Sequence, residues 1–292
     1  MSFSNLKKQS NLGSLTAKLV KEVEKLNSNS SGSSDDRLWK PEVDGTGNGY
    51  SVIRFLPAPD GEELPWAKLY NHAFQANGGW LIDNCLTTVG GKCPVCESNS
   101  ILWNSGSDAN KEIARSRKRK LSYYSNIYVI KDPKNPENEG KVFLFKYGKK
   151  IFDKIQAAMK PEFEDEAIVD PFDLWKGADF KLKIKKVAGY WNYDSSEFSA
   201  SAPLLSGDDD LLEEIWKKEF PLKEIISEDK FKTHEQLNAR LEVVLGKVAA
   251  TKSAPVDESF SNEEDGRGSV SSIASTDDED DALSYFQKLV DD

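Results

Sequence analysis

Alternation of apolar and polar residues predicts a chain built mainly from short strands. The clearest is Ala178–Val187, in which Phe180, Leu182 and Ile184 alternate with lysines. Because successive strand side chains point to opposite faces, such a segment buries one face and exposes the other. Further strands are predicted between Gly, Pro and Asn residues, at Tyr50–Leu56, Trp66–Phe74, Trp80–Ile82, Tyr123–Ile130 and Lys141–Lys146.

Helical periodicity is confined to a few segments. Helices are predicted at Lys149–Met159, Asp210–Glu219 and Thr233–Val248, the last beginning with a Thr233/Gln236 capping box. We therefore expect a mainly β, α+β fold with accessory helices. Many short strands with few helices favour an OB-type β-barrel core with an inserted subdomain.

Composition divides the chain into three parts. Residues 1–34 form a basic arm, with a predicted helix from Ser14 and a flexible Ser/Asn/Gly-rich linker at Asn27–Ser34. Residues 35–248 carry the core. Residues 249–292 are rich in Ser, Asp and Glu, a composition that predicts a disordered acidic tail. The tail ends in an apolar patch with Tyr285, Phe286 and Leu289.

The chain's formal net charge of −10 belongs almost entirely to the tail. From Thr251 to Asp292 there are 12 acidic and 3 basic residues, a net of −9, so the first 250 residues are close to neutral. No apolar run is long enough to span a membrane and no targeting segment is visible, so we expect a soluble, intracellular protein.

All three cysteines lie close to one of the two histidines. His72, Cys85, Cys93 and Cys96 follow the spacing H-x12-C-x7-C-x2-C, with Pro94 inside the final pair. Two thiolates two residues apart can hold one ion from a single turn, and a distant Cys and His complete a tetrahedron. The pattern predicts one structural Zn²⁺ per chain, in a subdomain around residues 66–125.

Alternative interpretations of these cysteines account for less. Three cysteines leave one over from any disulfide pairing. A thioredoxin-like pair of Cys93 and Cys96 would give Cys85 and His72 no role. A zinc deaminase needs a Glu two residues after its His, where this chain has Phe74.

Basic and aromatic residues are interleaved in two places. Between Lys111 and Lys154 there are 13 basic and 5 acidic residues, and the run from Arg115 to Lys120 is followed by Tyr123 and Tyr124. The lysines of Lys181–Lys186 are followed by Tyr190, Trp191 and Tyr193. Cations that follow phosphates and rings that stack on unpaired bases are what a single-stranded nucleic acid requires. The pattern therefore predicts a single-strand binder.

Two other functions compete with this prediction. A zinc-dependent nuclease or deaminase would need clustered carboxylates or the deaminase signature, and the acids of the core are scattered. A zinc-containing RNA-binding module would present the same stacking surface, and the sequence does not separate RNA from DNA. Either aromatic group alone is also compatible with ordinary core packing.

Several segments occur in an order that resembles a known family. These are Val52–Pro57, the His72/Cys85/Cys93/Cys96 set, Lys131–Pro133, Pro136–Phe143 and Gly148–Ile151. From about Trp39 to Val248 the chain resembles the gene 32 family of single-stranded DNA-binding proteins from T-even-type bacteriophages. That family is not enzymatic. It coats single strands cooperatively during phage replication, recombination and repair, through an OB-type core with a zinc subdomain.

The resemblance implies a set of roles for individual residues. The DNA cleft would include Arg54, Trp80, Trp103, Arg117, Lys118, Arg119, Tyr123, Tyr124, Phe145, Tyr190 and Tyr193. Lys7 and Lys8 in the arm would serve self-association along the DNA. The tail would bind replication and recombination proteins through Tyr285, Phe286 and Leu289. The site of action would be the cytoplasm of the infected bacterial host.

The chain departs from the family pattern at three places. The loop before the paired cysteines is shortened to Val89–Lys92 and lacks a tyrosine, and another cleft tyrosine is replaced by Ile113. The family's basic-plus-hydroxyl motif is imperfect at both of its positions, Lys7–Ser10 and Lys118–Ser122.

Overall fold

Nine strands, five α-helices and five short 3-10 helices make up the part of the chain that the structure describes. The structure is a computed structural model, and it describes residues 35–163, 165–187 and 189–247. The described residues from Arg37 onward belong to one compact unit. The strands are β1 Leu38–Trp39, β2 Gly49–Phe55, β3 Ala67–Ala76, β4 Gly79–Asn84, β5 Lys120–Lys131, β6 Val142–Tyr147, β7 Phe180–Val187, β8 Tyr190–Asn192 and β9 Glu197–Phe198.

The longest strand, β5, organises the sheet. Its first residues pair with β3, its middle with β6 and its last with β2, all antiparallel. The main order is β1-β6-β5-β2-β7-β8, with β4 beside β3 and β9 beside β7. The predicted α+β fold is confirmed. The pairing of the described strands is an open path, since its two end strands β1 and β8 do not pair, so a closed barrel is not found.

The strand pattern read from the sequence matches the burial of the side chains. In β7, Phe180, Leu182 and Ile184 are buried while Lys181 and Lys183 are only partly covered. The first group joins a large apolar core in which Phe55 contacts five other phenylalanine or tyrosine rings. Amphipathic alternation is therefore what places this core between the strands.

The helices are α1 Pro94–Trp103, α2 Asp108–Arg117, α3 Lys149–Met159, α4 Asp209–Trp216 and α5 His234–Val244. The three predicted helices correspond to α3, α4 and α5. The Thr233 capping box is present, with Thr233 Oγ1 accepting from Gln236 N at 3.2 Å and Gln236 Oε1 accepting from Thr233 N at 3.0 Å. The helix predicted from Ser14 lies outside the described residues.

Two helices, α1 and α2, are absent from the sequence prediction. In α1 the buried side chains are Pro94, Val95, Cys96 and Asn99, so a cysteine and an amide occupy positions where an apolar stripe is expected. In α2 only Ala114 is buried. Neither helix therefore has the periodicity of an amphipathic helix.

Within the described residues, no helix combines the length and apolar character needed to cross a membrane.

Candidate metal centre and nucleic-acid interface

Three elements bring the four predicted metal ligands together. His72 lies in β3, Cys85 directly follows β4, and Cys93 and Cys96 lie at the N-terminus of α1. All four are buried, and their ligand atoms lie within 4.8 Å of one another. Cys96 Sγ is 3.5 Å from both Cys85 Sγ and His72 Nε2, and Cys93 Sγ is 3.6 Å from His72 Nε2.

These separations fit a tetrahedral zinc ion. With Zn–S bonds of about 2.3 Å and Zn–N bonds of about 2.0 Å, neighbouring ligand atoms should be roughly 3.4–3.8 Å apart. The three cysteines form no disulfide. His72 Nδ1 lies 3.1 Å from the Arg117 carbonyl oxygen, so this nitrogen donates and leaves the Nε2 lone pair directed at the thiols. The chemistry of the donor set therefore fits Zn²⁺.

The ionisation of these groups couples metal binding to pH. Hydrogen bonds from Cys93 and Cys96 hold the pKa of the Cys85 thiol far below its usual range. Burial would lower the pKa of His72, but hydrogen bonds that the imidazolium donates to Cys85 and Cys93 outweigh it and raise the pKa to about 9. Because a bound ion requires thiolates and a neutral imidazole, binding must release protons and should strengthen as pH rises.

The C-terminal helix α5 is part of the same small core. Leu237, Leu241 and Val244 pack against the cluster that contains the three cysteines. Two ion pairs hold the helix in place. Asp83 Oδ1 lies 2.6 Å from Lys232 Nζ, and Asp83 Oδ2 lies 2.7 Å from Arg240 Nε. The metal centre therefore packs against the last helix of the described residues.

Arg54 does not face solvent, and this corrects its predicted place in a DNA cleft. Its side chain is 1 % exposed. The guanidinium donates to Asp179 Oδ1 at 2.8 Å, to the Asp173 carbonyl at 3.3 Å and to the Ala202 carbonyl at 2.7 Å. A buried cation with three partners in its own chain ties β2 to the segments around β7. It is structural because its hydrogen bonds satisfy the charge that burial would otherwise penalise.

Two of the predicted cleft aromatics are also core residues. Tyr123 is buried and stacks on Phe152 with ring centroids 3.9 Å apart. Phe145 is buried and packs edge-on against Trp39 at 5.3 Å. Both side chains point into the large apolar core because alternate residues of β5 and β6 do so. Neither ring is open to stack on a base.

A surface of alternating cations and rings runs along β3 and its neighbours. The centre of the Arg119 guanidinium lies 4.2 Å from the Tyr70 ring centroid, and Lys68 Nζ lies 5.0 Å from the same ring. We call this set the cation–aromatic surface, and it is completed by three further pairs: Arg117 with Phe74 at 5.4 Å, Arg115 with Trp103 at 5.4 Å and Lys146 with Tyr124 at 5.9 Å. The Phe74 ring is buried in the cluster that contains the cysteines, so its pair adds a cation to the surface but no ring for stacking.

Only part of this surface is predicted from the sequence. Arg117, Arg119, Trp103 and Tyr124 are predicted cleft residues, whereas Lys68, Tyr70, Phe74, Arg115 and Lys146 are not. The missed signal is in β3, where Lys68 and Tyr70 alternate with the buried residues Ala67 and Leu69 and therefore lie on the opposite, more open face of the strand. Burial and the nearby ammonium groups of Lys120 and Lys40 lower the pKa of Lys146. Several cations are therefore close together at this surface.

The remaining predicted cleft residues are spread over several elements. Trp80 on β4 is 50 % exposed and Tyr190 on β8 is 71 % exposed. Lys118, at the end of α2, is half-buried, and Tyr193 is half-buried against the large apolar core. The predicted arm and tail residues Lys7, Lys8, Tyr285, Phe286 and Leu289 lie outside the described residues.

Comparison with known proteins assigns the chain to a family. A family model described as "gp32 DNA binding protein like" matches residues 47–245. The chain belongs to this gp32-like family. The resemblance read from the sequence is thereby confirmed, and the matched range includes both the four metal ligands and the cation–aromatic surface.

Individual members of the gp32-like family align with most of the chain. The single-stranded DNA-binding protein of Enterobacteria phage T4 is 44% identical over 238 residues, which are 79% of this chain and 78% of that protein. The protein of the same name from Enterobacteria phage T2 is 44% identical over 242 residues, 80% of this chain and 79% of that one. A third, from Enterobacteria phage RB70, is 45% identical over 115 residues, 37% of this chain and 95% of that sequence.

Proposed function

We propose that this protein binds single-stranded DNA cooperatively and without sequence preference, as a coating protein of phage replication, recombination and repair. The observation that carries the proposal is the cation–aromatic surface, in which each pair places a positive charge over a ring. Membership of the gp32-like family, and the similarity to the single-stranded DNA-binding proteins of phages T4 and T2, support it.

The surface suits an unpaired strand for two reasons. Guanidinium and ammonium groups attract phosphates of any sequence, and ring faces accept any base. Arginine held over a ring also keeps its donors oriented, so less side-chain freedom is lost when a phosphate binds. A strand would lie along β3 and the start of β5, with the exposed rings of Trp80 and Tyr190 as additional stacking positions.

The metal would be structural. His72, Cys85, Cys93 and Cys96 would hold one Zn²⁺, and four protein ligands leave no coordination position for water or substrate. Zinc would then fix β3, β4 and α1 relative to one another, and these elements carry Tyr70, Trp80 and Trp103. The family name and this closed ligand set support a binding protein and not an enzyme.

The arrangement of the chain completes the proposal. The core would be OB-type with a zinc subdomain around residues 66–125, residues 1–34 would serve self-association, and residues 249–292 would bind partner proteins. The antiparallel sheet built around β5 and β2 supports an OB-type core. The protein would act inside the infected bacterial host.

The deciding experiment is a titration of intrinsic tryptophan fluorescence with poly-dT, poly-U and duplex DNA at matched salt. We expect the tightest binding to poly-dT and weak binding to the duplex. Equal or tighter binding to poly-U would favour an RNA-binding module. Cleavage or deamination of a labelled oligonucleotide, abolished by Cys93→Ala, would favour a zinc enzyme.

A further inference from the structure

A short 3-10 helix follows the metal ligand Cys85 and carries two threonines in succession. The helix is Leu86–Val89, and Thr87 and Thr88 are both half-buried. The Thr87 hydroxyl oxygen lies 3.1 Å from Cys85 Sγ. Arg119 also donates to that oxygen, although the two residues are 32 positions apart in sequence. One hydroxyl therefore lies between a sulfur of the metal centre and a cation of the cation–aromatic surface.

The chemistry of the groups fixes the direction of both hydrogen bonds. A guanidinium has donors and no acceptor, so Thr87 Oγ1 accepts from Arg119. The single proton of the hydroxyl is then left for the Cys85 sulfur, which is a good acceptor because a metal-bound cysteine is a thiolate. The Thr87 hydroxyl is therefore not free to rotate, since the sulfur holds its proton and a lone pair is directed at the guanidinium.

The ring that pairs with this cation is held from the same 3-10 helix. Thr88 Oγ1 accepts from Tyr70 N at 3.0 Å and donates to the Tyr70 carbonyl at 3.4 Å, and Cys85 N donates to that carbonyl at 2.8 Å. The Arg119 guanidinium lies 4.2 Å from the Tyr70 ring centroid. Adjacent threonines thus hold one cation–ring pair, Thr87 through the side chain of Arg119 and Thr88 through the backbone of Tyr70.

The backbone just before Arg119 is also tied to the metal centre. The Arg117 carbonyl oxygen lies 3.1 Å from His72 Nδ1 and accepts from Asn99 Nδ2 at 2.9 Å. Asn99 is completely buried in α1. Arg119 comes two residues after this carbonyl and directly before β5. The backbone of the basic run is therefore fixed, whereas the long and half-buried Arg119 side chain needs a support of its own, and Thr87 supplies one.

We propose that Thr87 is a positioning residue for single-strand binding, because its hydroxyl holds the Arg119 guanidinium in the orientation that binds a phosphate. This inference rests on the proposed function and identifies a residue that acts on DNA binding through another side chain. An arginine that is mobile before binding loses much rotamer freedom when it contacts a phosphate. An arginine already held by a hydroxyl and a ring loses less, so its contact with the phosphate is stronger.

A role for Thr87 in metal binding alone makes a different prediction. A hydroxyl that served only the Cys85 sulfur would change zinc affinity, typically by about 10–100-fold for an outer-shell partner. The DNA affinity of protein that contains zinc would then not depend on the hydroxyl. The two roles are therefore separable in preparations that contain one zinc ion per chain.

Removal of the hydroxyl tests the inference. Thr87→Val keeps the branched shape of the side chain, so full-length protein should keep one zinc ion per chain and a melting temperature close to the parent's. Its affinity for a dT oligonucleotide one site long should fall about three- to tenfold, the effect expected for one lost hydrogen bond. The slope of log affinity against log salt should flatten by up to about 0.7, the value for one phosphate contact.

Three further variants of the same 3-10 helix serve as controls. Thr87→Ser keeps the hydroxyl and should keep the parent's affinity and salt slope. Thr87→Ala lacks the hydroxyl in a smaller side chain and should have the same slope as Thr87→Val. Thr88→Val removes the neighbouring hydroxyl, whose partners are backbone atoms, so it should lower the melting temperature and leave the salt slope unchanged.

A double-mutant cycle identifies the residue through which Thr87 acts. In protein that already carries Arg119→Ala, Thr87→Val should cause no further loss of affinity, because no guanidinium is left for the hydroxyl to hold. The same cycle made with Lys68→Ala should be additive, since Lys68 pairs with Tyr70 and has no contact with Thr87 among the described hydrogen bonds.

Three results would overturn the inference: parental affinity and slope in Thr87→Val, full additivity of Thr87→Val with Arg119→Ala, or a loss of affinity in Thr87→Val that excess zinc reverses. The last result would assign the hydroxyl to the metal alone. Absence of oligonucleotide binding by the parent protein would instead refute the proposed function. Binding by the parent together with any of the three results would refute only the positioning role of Thr87.

Discussion

At the scale of single residues, Arg119 connects the metal centre with the cation–aromatic surface. Thr87 Oγ1 lies 3.1 Å from Cys85 Sγ and accepts a hydrogen bond from Arg119, whose guanidinium lies over Tyr70. The metal ligand, the hydroxyl and the ring thus fix one cation from two sides. A cation held in this way is well placed to bind a phosphate.

Replacing this cation should change the salt dependence of binding. Arg119→Ala should weaken binding to poly-dT and flatten the slope of log affinity against log salt by about 0.7 for each phosphate that the variant no longer neutralises. Arg37→Ala is a suitable control, since Arg37 pairs with Glu224 at 2.9 Å outside this surface. Poly-dT binding of both variants should be measured from low to moderate salt. The same slope of log affinity against log salt in Arg119→Ala and Arg37→Ala would count against the proposed surface.

Two tyrosines of the predicted cleft should respond in opposite ways. Tyr190→Ala removes an exposed ring and should weaken poly-dT binding by about 1–3 kcal/mol without changing the melting temperature. Tyr123→Ala removes a buried, stacked ring and should destabilise the fold by about 3–5 kcal/mol. Thermal unfolding and fluorescence titration of both variants separate the two roles. Loss of affinity in Tyr123→Ala at full stability would show that its ring contacts DNA after all.

Glu219 should make the protein less stable as pH rises. Neither carboxylate oxygen has a hydrogen-bond partner among the described residues, and burial together with the charge of Glu62 raises its pKa from 4.5 to about 8. Between these two values the folded state binds the proton more tightly than the unfolded state, so this group's contribution to stability falls with rising pH. Glu219→Gln should therefore stabilise the protein at pH 8 by roughly 1–3 kcal/mol and have little effect near pH 5.

Urea unfolding at pH 5 and pH 8 checks this prediction. Glu214→Gln is the matched control. Lys218 lowers the pKa of the exposed Glu214 carboxyl, so removing that carboxylate should lower the stability at pH 8 instead of raising it. A pH-independent effect of Glu219→Gln would mean that its carboxyl is ionised normally in the folded protein.

At the scale of elements, the sequence predicts the strands and helices that have a regular apolar period or a capping motif, and it does not predict those that lack one. The strand β7 and the helices α3 to α5 have a clear period or cap, and all were predicted. The metal ligands were predicted because three cysteines and a histidine at this spacing are typical of a zinc site. Helices α1 and α2 are not predicted because neither has an apolar stripe. In α1 one of the buried side chains is the metal ligand Cys96, and in α2 Ala114 is the only buried residue. The burial of the Arg54 and Tyr123 side chains is not predicted from the sequence, because it depends on contacts with residues that are distant in sequence, such as Asp179 and Phe152.

The metal centre should determine whether α5 stays in place. Because α5 packs on the cysteine cluster, Cys93→Ala or removal of zinc should loosen α5 together with α1 and lower the melting temperature substantially. Structural zinc sites supply about 10 kcal/mol or more of apparent binding free energy. Asn99→Ala should have a smaller effect, about 10–100-fold in metal affinity, since Asn99 Nδ2 donates to the same Arg117 carbonyl as His72 at 2.9 Å.

Metal analysis, melting with and without chelator, and hydrogen exchange in α5 test the centre. Freshly purified protein without zinc, or a melting temperature indifferent to chelator, would exclude a structural ion. Loss of zinc without loss of protection in α5 would show that the helix is held by Asp83 and its ion pairs alone.

At the scale of the whole molecule, charge is distributed by segment. The arm carries five lysines and two glutamates, and residues 251–292 carry a net of −9. The cation–aromatic surface and the tail belong to one chain, so the tail is present at high effective concentration wherever the surface is exposed. A polyanionic segment in that position should compete with DNA for the same cations.

Removal of residues 251–292 should therefore increase affinity for DNA, and most at low salt. Salt weakens the attraction between tail and surface just as it weakens DNA binding, so the advantage of the shortened chain should shrink as salt is added. The same deletion should abolish binding of replication partners, for which Tyr285, Phe286 and Leu289 are the predicted binding residues. Full-length protein and residues 1–250 should be compared on one oligonucleotide across a salt series. Affinity curves that superimpose at every salt concentration would leave the tail no competitive role, because a competitor that binds the same cations must alter the slope when it is removed.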